Sequence, residues 1–287
     1  MKLFTSVAVT PLKSRISLDD RIMVLGSCFA DSIGKRLSAA GFKVCINPFG
    51  TLYNAVSLMN SISRLNSGIH FGPKDCVQMG AGAGLVCSFS HHTSFARPDE
   101  EGFLRDANAA LADASAFWKD CNKVIVSLGT AMVWKKVSDG EVVSNCLKRP
   151  ASEFIHEMQG CGVISAVLGL MTDANPGKEF IFTVSPIRHL GEGAHLNTLS
   201  KATLQLALHS AISGKEDRCS YFPAYEIMLD ELRDYRFYAE DMVHPSAQAV
   251  DYLWERFCDF ALPEGERQTL QENMKACRCK QHRPMAR

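Results

Sequence analysis

Short apolar runs alternate along this chain with stretches in which apolar residues recur every three or four positions. The runs Met23 to Gly26, Val44 to Asn47, Val124 to Leu128 and Phe180 to Val184 have the length and continuity of strands buried on both faces, as in a parallel sheet. Helical spacing is predicted over Asp31 to Ala40, Tyr53 to Leu65, Gly102 to Lys119, Glu153 to Met171 and His195 to Ser213. Strands and helices in alternation imply βαβ units and a doubly wound α/β sheet. Two segments interrupt the rhythm. Residues 70–97 form an insertion with a strand-like run from Leu85 to Ser90, and Met132 to Val143, with Asp139-Gly140 at its centre, has the composition of a hairpin.

Composition narrows the classes. The chain has 287 residues, 46% of them hydrophobic, enough for one large core. We expect one domain over residues 1–262 and a basic tail over 263–287, a short helix followed by a frayed end. Lysine plus arginine and aspartate plus glutamate both number 31, so no global field draws in nucleic acid or an anionic membrane, and neither is expected as a partner. Polar residues and Pro11 break the apolar stretch at the start before a secretory core forms, and no apolar run reaches the roughly 18 residues of a spanning helix.

The eleven cysteines contain no Cys-x-x-Cys, and several, such as Cys28, Cys45, Cys87 and Cys121, lie in or beside apolar segments. They read as reduced cytoplasmic thiols, with no metal expected. Gly80-Ala81-Gly82-Ala83-Gly84 is followed by a strand-like run rather than a helix, so it reads as a turn and not as a nucleotide loop.

The chemistry concentrates at two places. Gly26-Ser27-Cys28-Phe29 follows the first strand and opens the first helix, where free amides favour a negative charge. Ser27 at that turn can cap the helix or act as a nucleophile. Near the other end, Asp241-Met242-Val243-His244 sets an aspartate three residues before a histidine, close enough to bond Nδ1 and fix the tautomer. Together they supply the parts of a Ser/His/Asp set. His91 and His92 in the insertion, and Arg188 and His189 after the strand that ends near Ser185, are candidate substrate-binding groups, as is Asn47.

The words Gly-Ser-Cys-Phe-Ala at 26–30 resemble the signature of the GSCFA family, and a serine after the first strand with Asp-x-x-His before the last helix resembles the SGNH, or GDSL-like, hydrolases. Asn47-Pro48-Phe49-Gly50-Thr51, Ser127-Leu128-Gly129-Thr130-Ala131 and Ser185-Pro186-Ile187-Arg188-His189 extend the likeness over roughly residues 3 to 262. The resemblance implies a three-layer α/β/α fold with a mostly parallel, flavodoxin-like sheet. It implies a serine hydrolase acting on an acyl or acetyl ester, a small molecule or a carbohydrate, without a cofactor. Ser27 would attack, with His244 as base and Asp241 behind it. The oxyanion would be held by the amides of Ser27 and Gly50 and by Thr130, which stands where such enzymes carry an asparagine. Two other classes remain open: a binding module on the same fold with little catalysis, and a phosphate- or sugar-handling transferase.

Overall fold

A computed structural model describes residues 4–281. In chain order the elements are β1 (Arg21–Gly26), α1 (Cys28–Ala39), β2 (Lys43–Ile46), α2 (Ala55–Ser67), β3 (Val77–Gln78), β4 (Val86–Cys87), α3 (Glu100–Asp120), β5 (Lys123–Leu128), β6 (Met132–Lys136), β7 (Val142–Val143), β8 (Phe154–Met158), α4 (Cys161–Asp173), β9 (Glu179–Val184), α5 (Ala194–Ile212), β10 (Cys219–Tyr221), the single turn α6 (Ala224–Glu226), α7 (Ala247–Ala261) and α8 (Arg267–Gln281).

The central sheet has the order β10-β9-β5-β1-β2, parallel throughout. Alternate residues of each strand point to opposite faces, and the core divides accordingly. Met23, Leu25, Val124, Val126, Phe180 and Phe182 pack in one apolar cluster with residues of α2, α3, α4 and α5. Ile22, Val24, Ile125 and Ile181 pack in the other, with α1 and α7. The result is a three-layer α/β/α sandwich. The crossover reverses direction between β1 and β5, and in open α/β sheets that switch point, at the carboxyl ends of the strands, is where ligands bind. No helix among the described residues is long and apolar enough to cross a membrane.

The four expected sheet strands are present. The helix expected over Glu153 to Met171 is not continuous: its first part is strand β8, antiparallel to β6, and α4 begins only at Cys161. Phe154, His156 and Met158 alternate with the more exposed Ile155 and Glu157, a period of two that the apolar residues of α4 obscure. With β7 these strands make a small three-stranded sheet that forms a wall beside the carboxyl edge. The insertion holds the two-residue hairpin β3–β4, so the strand there is shorter than Leu85 to Ser90. After residue 262, α8 lies against α1: Leu270 is buried and Asn273 Nδ2 donates to Ala40 O at 2.9 Å. The frayed end expected beyond it falls outside the described residues.

His91, expected at the substrate pocket, is instead a core residue of the insertion. It is 0% exposed, its ring lies among those of Phe49, Phe71, Phe95 and Phe103, and Nδ1 shares a 2.6 Å hydrogen bond with Ser88 Oγ. Nε2 is buried without a partner. Burial, with Arg64 nearby, lowers its pKa from 6.5 to about 3. Because the folded value lies below the unfolded one, the unfolded chain takes up the proton first, and stability falls as pH drops from about 6.5 toward 3. Between pH 7 and pH 5 this one group costs about 2 kcal/mol. Urea unfolding at the two pH values should show His91→Phe losing about 2 kcal/mol less than the unaltered protein over that interval; an equal loss in both would contradict the assignment.

Candidate active site

Strand β1 ends at Gly26, whose φ of +132° suits glycine and whose Cα lies so close to β5 that an added Cβ would meet Ser127 O at 2.1 Å. The Gly26 amide donates to Asn47 Oδ1 at 2.8 Å, and Asn47 Nδ2 donates to Asp31 Oδ1 at 2.6 Å. Asn47 therefore braces the turn and does not reach the cavity, contrary to its expected role in binding substrate.

Ser27 is the N-cap of α1. Its hydroxyl accepts from Phe29 N at 3.2 Å and shares a 3.0 Å hydrogen bond with Ser127 Oγ, and the residue is 0% exposed. The hydroxyl faces into the sheet, and among the described residues no hydrogen bond joins it to His244. Cys28, the first helical residue, has the open side: it lines a cavity of about 930 Å³, and its thiol lies 3.7 Å from the hydroxyl of Tyr53, which lines the same cavity. The capping geometry produces this division, since the N-cap side chain folds back onto the amides of the first turn and leaves the next residue free.

The same cavity is walled by residues after every strand of the sheet: Cys28 after β1, Tyr53 and Asn54 after β2, Thr130 after β5, Arg188 and His189 after β9, and His244 after β10. His244 is oriented as its spacing predicts. Asp241 Oδ2 bonds its Nδ1 at 2.7 Å, and Oδ1 accepts from the backbone amides of Val243 and His244, each at 2.9 Å. Those bonds, the His244 amide first, hold the Asp241 carboxyl down at about 2, so it stays ionised and fixes the ring with Nε2 as the remaining nitrogen. Arg188 N donates to Val243 O at 3.1 Å and ties this turn to the loop after β9.

Gly50 is not placed as an oxyanion donor. Its amide donates to Asn47 O at 2.8 Å, and its φ of +81° and the His92 Cβ, 2.3 Å from any added Cβ, explain why glycine stands there. His92 is part of this packing and bonds Ser94 Oγ at 3.0 Å rather than lining the cavity. Thr130 does line it, but its amide donates to Tyr53 O at 3.1 Å, and its hydroxyl accepts from Met132 N and shares a 3.0 Å bond with Ser200 Oγ. Two neighbours offer donors instead. Burial pushes the Tyr53 phenol up to about 12, so it keeps its proton at neutral pH; its hydroxyl shares a 3.2 Å bond with Thr51 Oγ1, which can donate to it and leave the phenol proton for the Cys28 side of the cavity. Asn54 accepts from Ser57 N through Oδ1, which leaves its Nδ2 to the cavity it lines.

Beneath this wall the buried Lys201 donates to Gly129 O at 2.6 Å and Ser185 O at 2.8 Å, joining the loops that follow β5 and β9. Burial lowers its pKa to about 7. His189 is lowered to about 4 by burial, Lys201 and His244, and is neutral at pH 7; its Nε2 is buried without a partner. Among the described residues no group of three or more His, Cys, Asp or Glu could hold a metal ion.

A sequence model of the GSCFA family matches residues 21–257, from the first residue of β1 to one turn before the end of α7. The chain belongs to the GSCFA family. No curated protein and no solved structure matches it. The Gly-Ser-Cys-Phe-Ala stretch that suggested GSCFA membership from sequence thus spans two different jobs: a serine that caps and a cysteine that faces the cavity. Tyr53 was not singled out from the sequence, and the local signal was slight, a polar-aromatic residue just before a helix.

As a cap with a buried partner, Ser27 contributes to stability. Ser27→Ala should lower the unfolding free energy by about 1–2 kcal/mol in urea titration, from the lost cap and the stranded Ser127 hydroxyl. Alkylation of Cys28 by iodoacetamide should persist in the folded variant. Unchanged stability would contradict the capping role.

Proposed function

We propose that this GSCFA protein is an acyl-transfer hydrolase acting on an ester or thioester, with Cys28 rather than Ser27 as nucleophile. The observation that carries the reading is that Cys28 and the Asp241-held His244 line one cavity, while the Ser27 hydroxyl is engaged with Ser127. The resemblance to SGNH hydrolases supports the order of parts, with a nucleophile at the first strand–helix turn and Asp-x-x-His before α7.

In this mechanism His244 Nε2 takes the thiol proton, and the sulfur attacks the carbonyl at the N-terminus of α1, where the helix dipole favours negative charge. The tetrahedral oxyanion meets the Cys28 amide together with the Tyr53 hydroxyl and Asn54 Nδ2, donors that stand in for the asparagine missing at Thr130. His244 returns the proton to the leaving group, and water then releases the acyl group by the same route in reverse. Asp241 holds the ring and stabilises the imidazolium.

Turnover of p-nitrophenyl acetate tests this reading. Cys28→Ala should lower kcat by a thousandfold or more, on the order seen when a nucleophile is removed, with the fold retained by circular dichroism. Wild-type turnover in folded Cys28→Ala would sink the proposal. Tyr53→Phe keeps the ring and removes the donor, and should lower kcat roughly ten- to a hundredfold with little change in KM. A change in KM alone would assign Tyr53 to substrate binding instead.

A further inference from the structure

The charges in the cavity wall are unevenly matched. The Arg149 fork is closed by Glu153, with bonds of 2.6 and 2.9 Å. Glu192 is paired with His156, and Asp241 with His244. Arg188 stands apart: among the described residues no carboxylate lies within ion-pair distance of it. Its guanidinium is held in place by a 3.0 Å bond from Nη1 to Met242 O and lies 5.1 Å from the centre of the Tyr238 ring. These contacts fix the plane of the group without using the Nε–Nη2 edge, for which no protein acceptor is found among the described residues. A planar edge with two parallel donors is the geometry that takes a carboxylate or phosphate in a bidentate pair.

A second polar group points the same way. His189, the next residue, lines the cavity with a buried Nε2 that has no partner in the protein. A buried nitrogen in that state is expected to meet a ligand or water.

We propose that the cavity takes substrates bearing an oxyanion group, a carboxylate or a phosphate, and that the free edge of Arg188 binds it while the reacting carbon lies at Cys28. This rests on Cys28 being the reactive group of the site and extends that reading to the class of substrate. Arg188 is bonded to the turn that carries His244, so the anion is held beside the base and its position is fixed relative to the proton transfer. The apolar part of the wall, with Met132, Phe154, Ile187 and Leu196, accommodates the remainder of the molecule.

Two alkylating reagents of nearly equal size, anionic iodoacetate and neutral iodoacetamide, test the proposal on the full chain without requiring turnover. Each transfers its carbon to sulfur and releases iodide. The rate at Cys28 is read by peptide mass spectrometry, which separates it from the other cysteines. Arg188→Gln, which also loses the bond to Met242 O, should lower the iodoacetate rate roughly tenfold or more beyond any fall in the iodoacetamide rate, with Arg188→Lys between, since lysine keeps the charge but not the fork. In the unaltered protein, benzoate or phenyl phosphate should slow iodoacetate, and the stronger protector identifies the anion as carboxylate or phosphate.

A parallel fall with both reagents would mean that Arg188 only supports the His244 turn. It would overturn the proposal, as would unchanged rates or protection by neither anion. Absence of ester turnover would defeat the acyl-transfer reading and leave this ratio of rates intact.

Discussion

Where β1 meets β5 there is no room for a side chain, since an added Cβ on Gly26 would lie 2.1 Å from Ser127 O. Much of the site follows from that approach. The strand can turn only there, with a φ that suits glycine, and Ser27 must then cap α1 with its hydroxyl against Ser127. Cys28 is left as the first side chain free to face outward, at the positive end of a twelve-residue helix. Neighbouring loops reinforce the same point: Asn47 receives the Gly26 amide, and Leu52 N donates to Gly26 O at 3.0 Å, which brings Tyr53 to the thiol.

The opposite wall depends on a different set of bonds. Lys201 draws together the carbonyls of Gly129 and Ser185, and Asn197 Oδ1 accepts from His189 N at 2.9 Å, so α5 sets the height of the loop after β9. That loop in turn carries the His244 turn through Arg188 N and Nη1. The histidine sits on an exposed turn, yet two of its own bonds and one from Val243 N go to a single aspartate, and Arg188 bonds the carbonyls of Met242 and Val243. A surface residue is thereby given the constancy that the proton transfer proposed for it requires.

Much of this was legible in the chain itself. The continuous apolar runs marked the sheet strands because strands buried on both faces need no polar alternation, and Asp-x-x-His marked an orienting pair because three residues is the reach of an Asx-type turn. What could not be read was the direction of side chains at a single turn. Ser27 and Cys28 are adjacent, and only the close contact with Ser127 decides which faces the sheet. Gly50 was misread because a glycine needed for packing against His92 has the same sequence signal as one that offers its amide. His91 looked like a pocket residue because its burial comes from Phe49, Phe71, Phe95 and Phe103, which are dispersed in sequence. Strand β8 was hidden by the apolar start of α4 directly after it.

The central claim is that the reactive atom at this turn is the sulfur of Cys28. It is tested most directly by locating the covalent intermediate: brief incubation with p-nitrophenyl acetate, acid quench, proteolysis and mass spectrometry of the peptide spanning residues 22–35. The account predicts a single acetyl group on Cys28, labile to hydroxylamine at neutral pH as a thioester is. An acetyl group on Ser27, stable to that treatment, would contradict it.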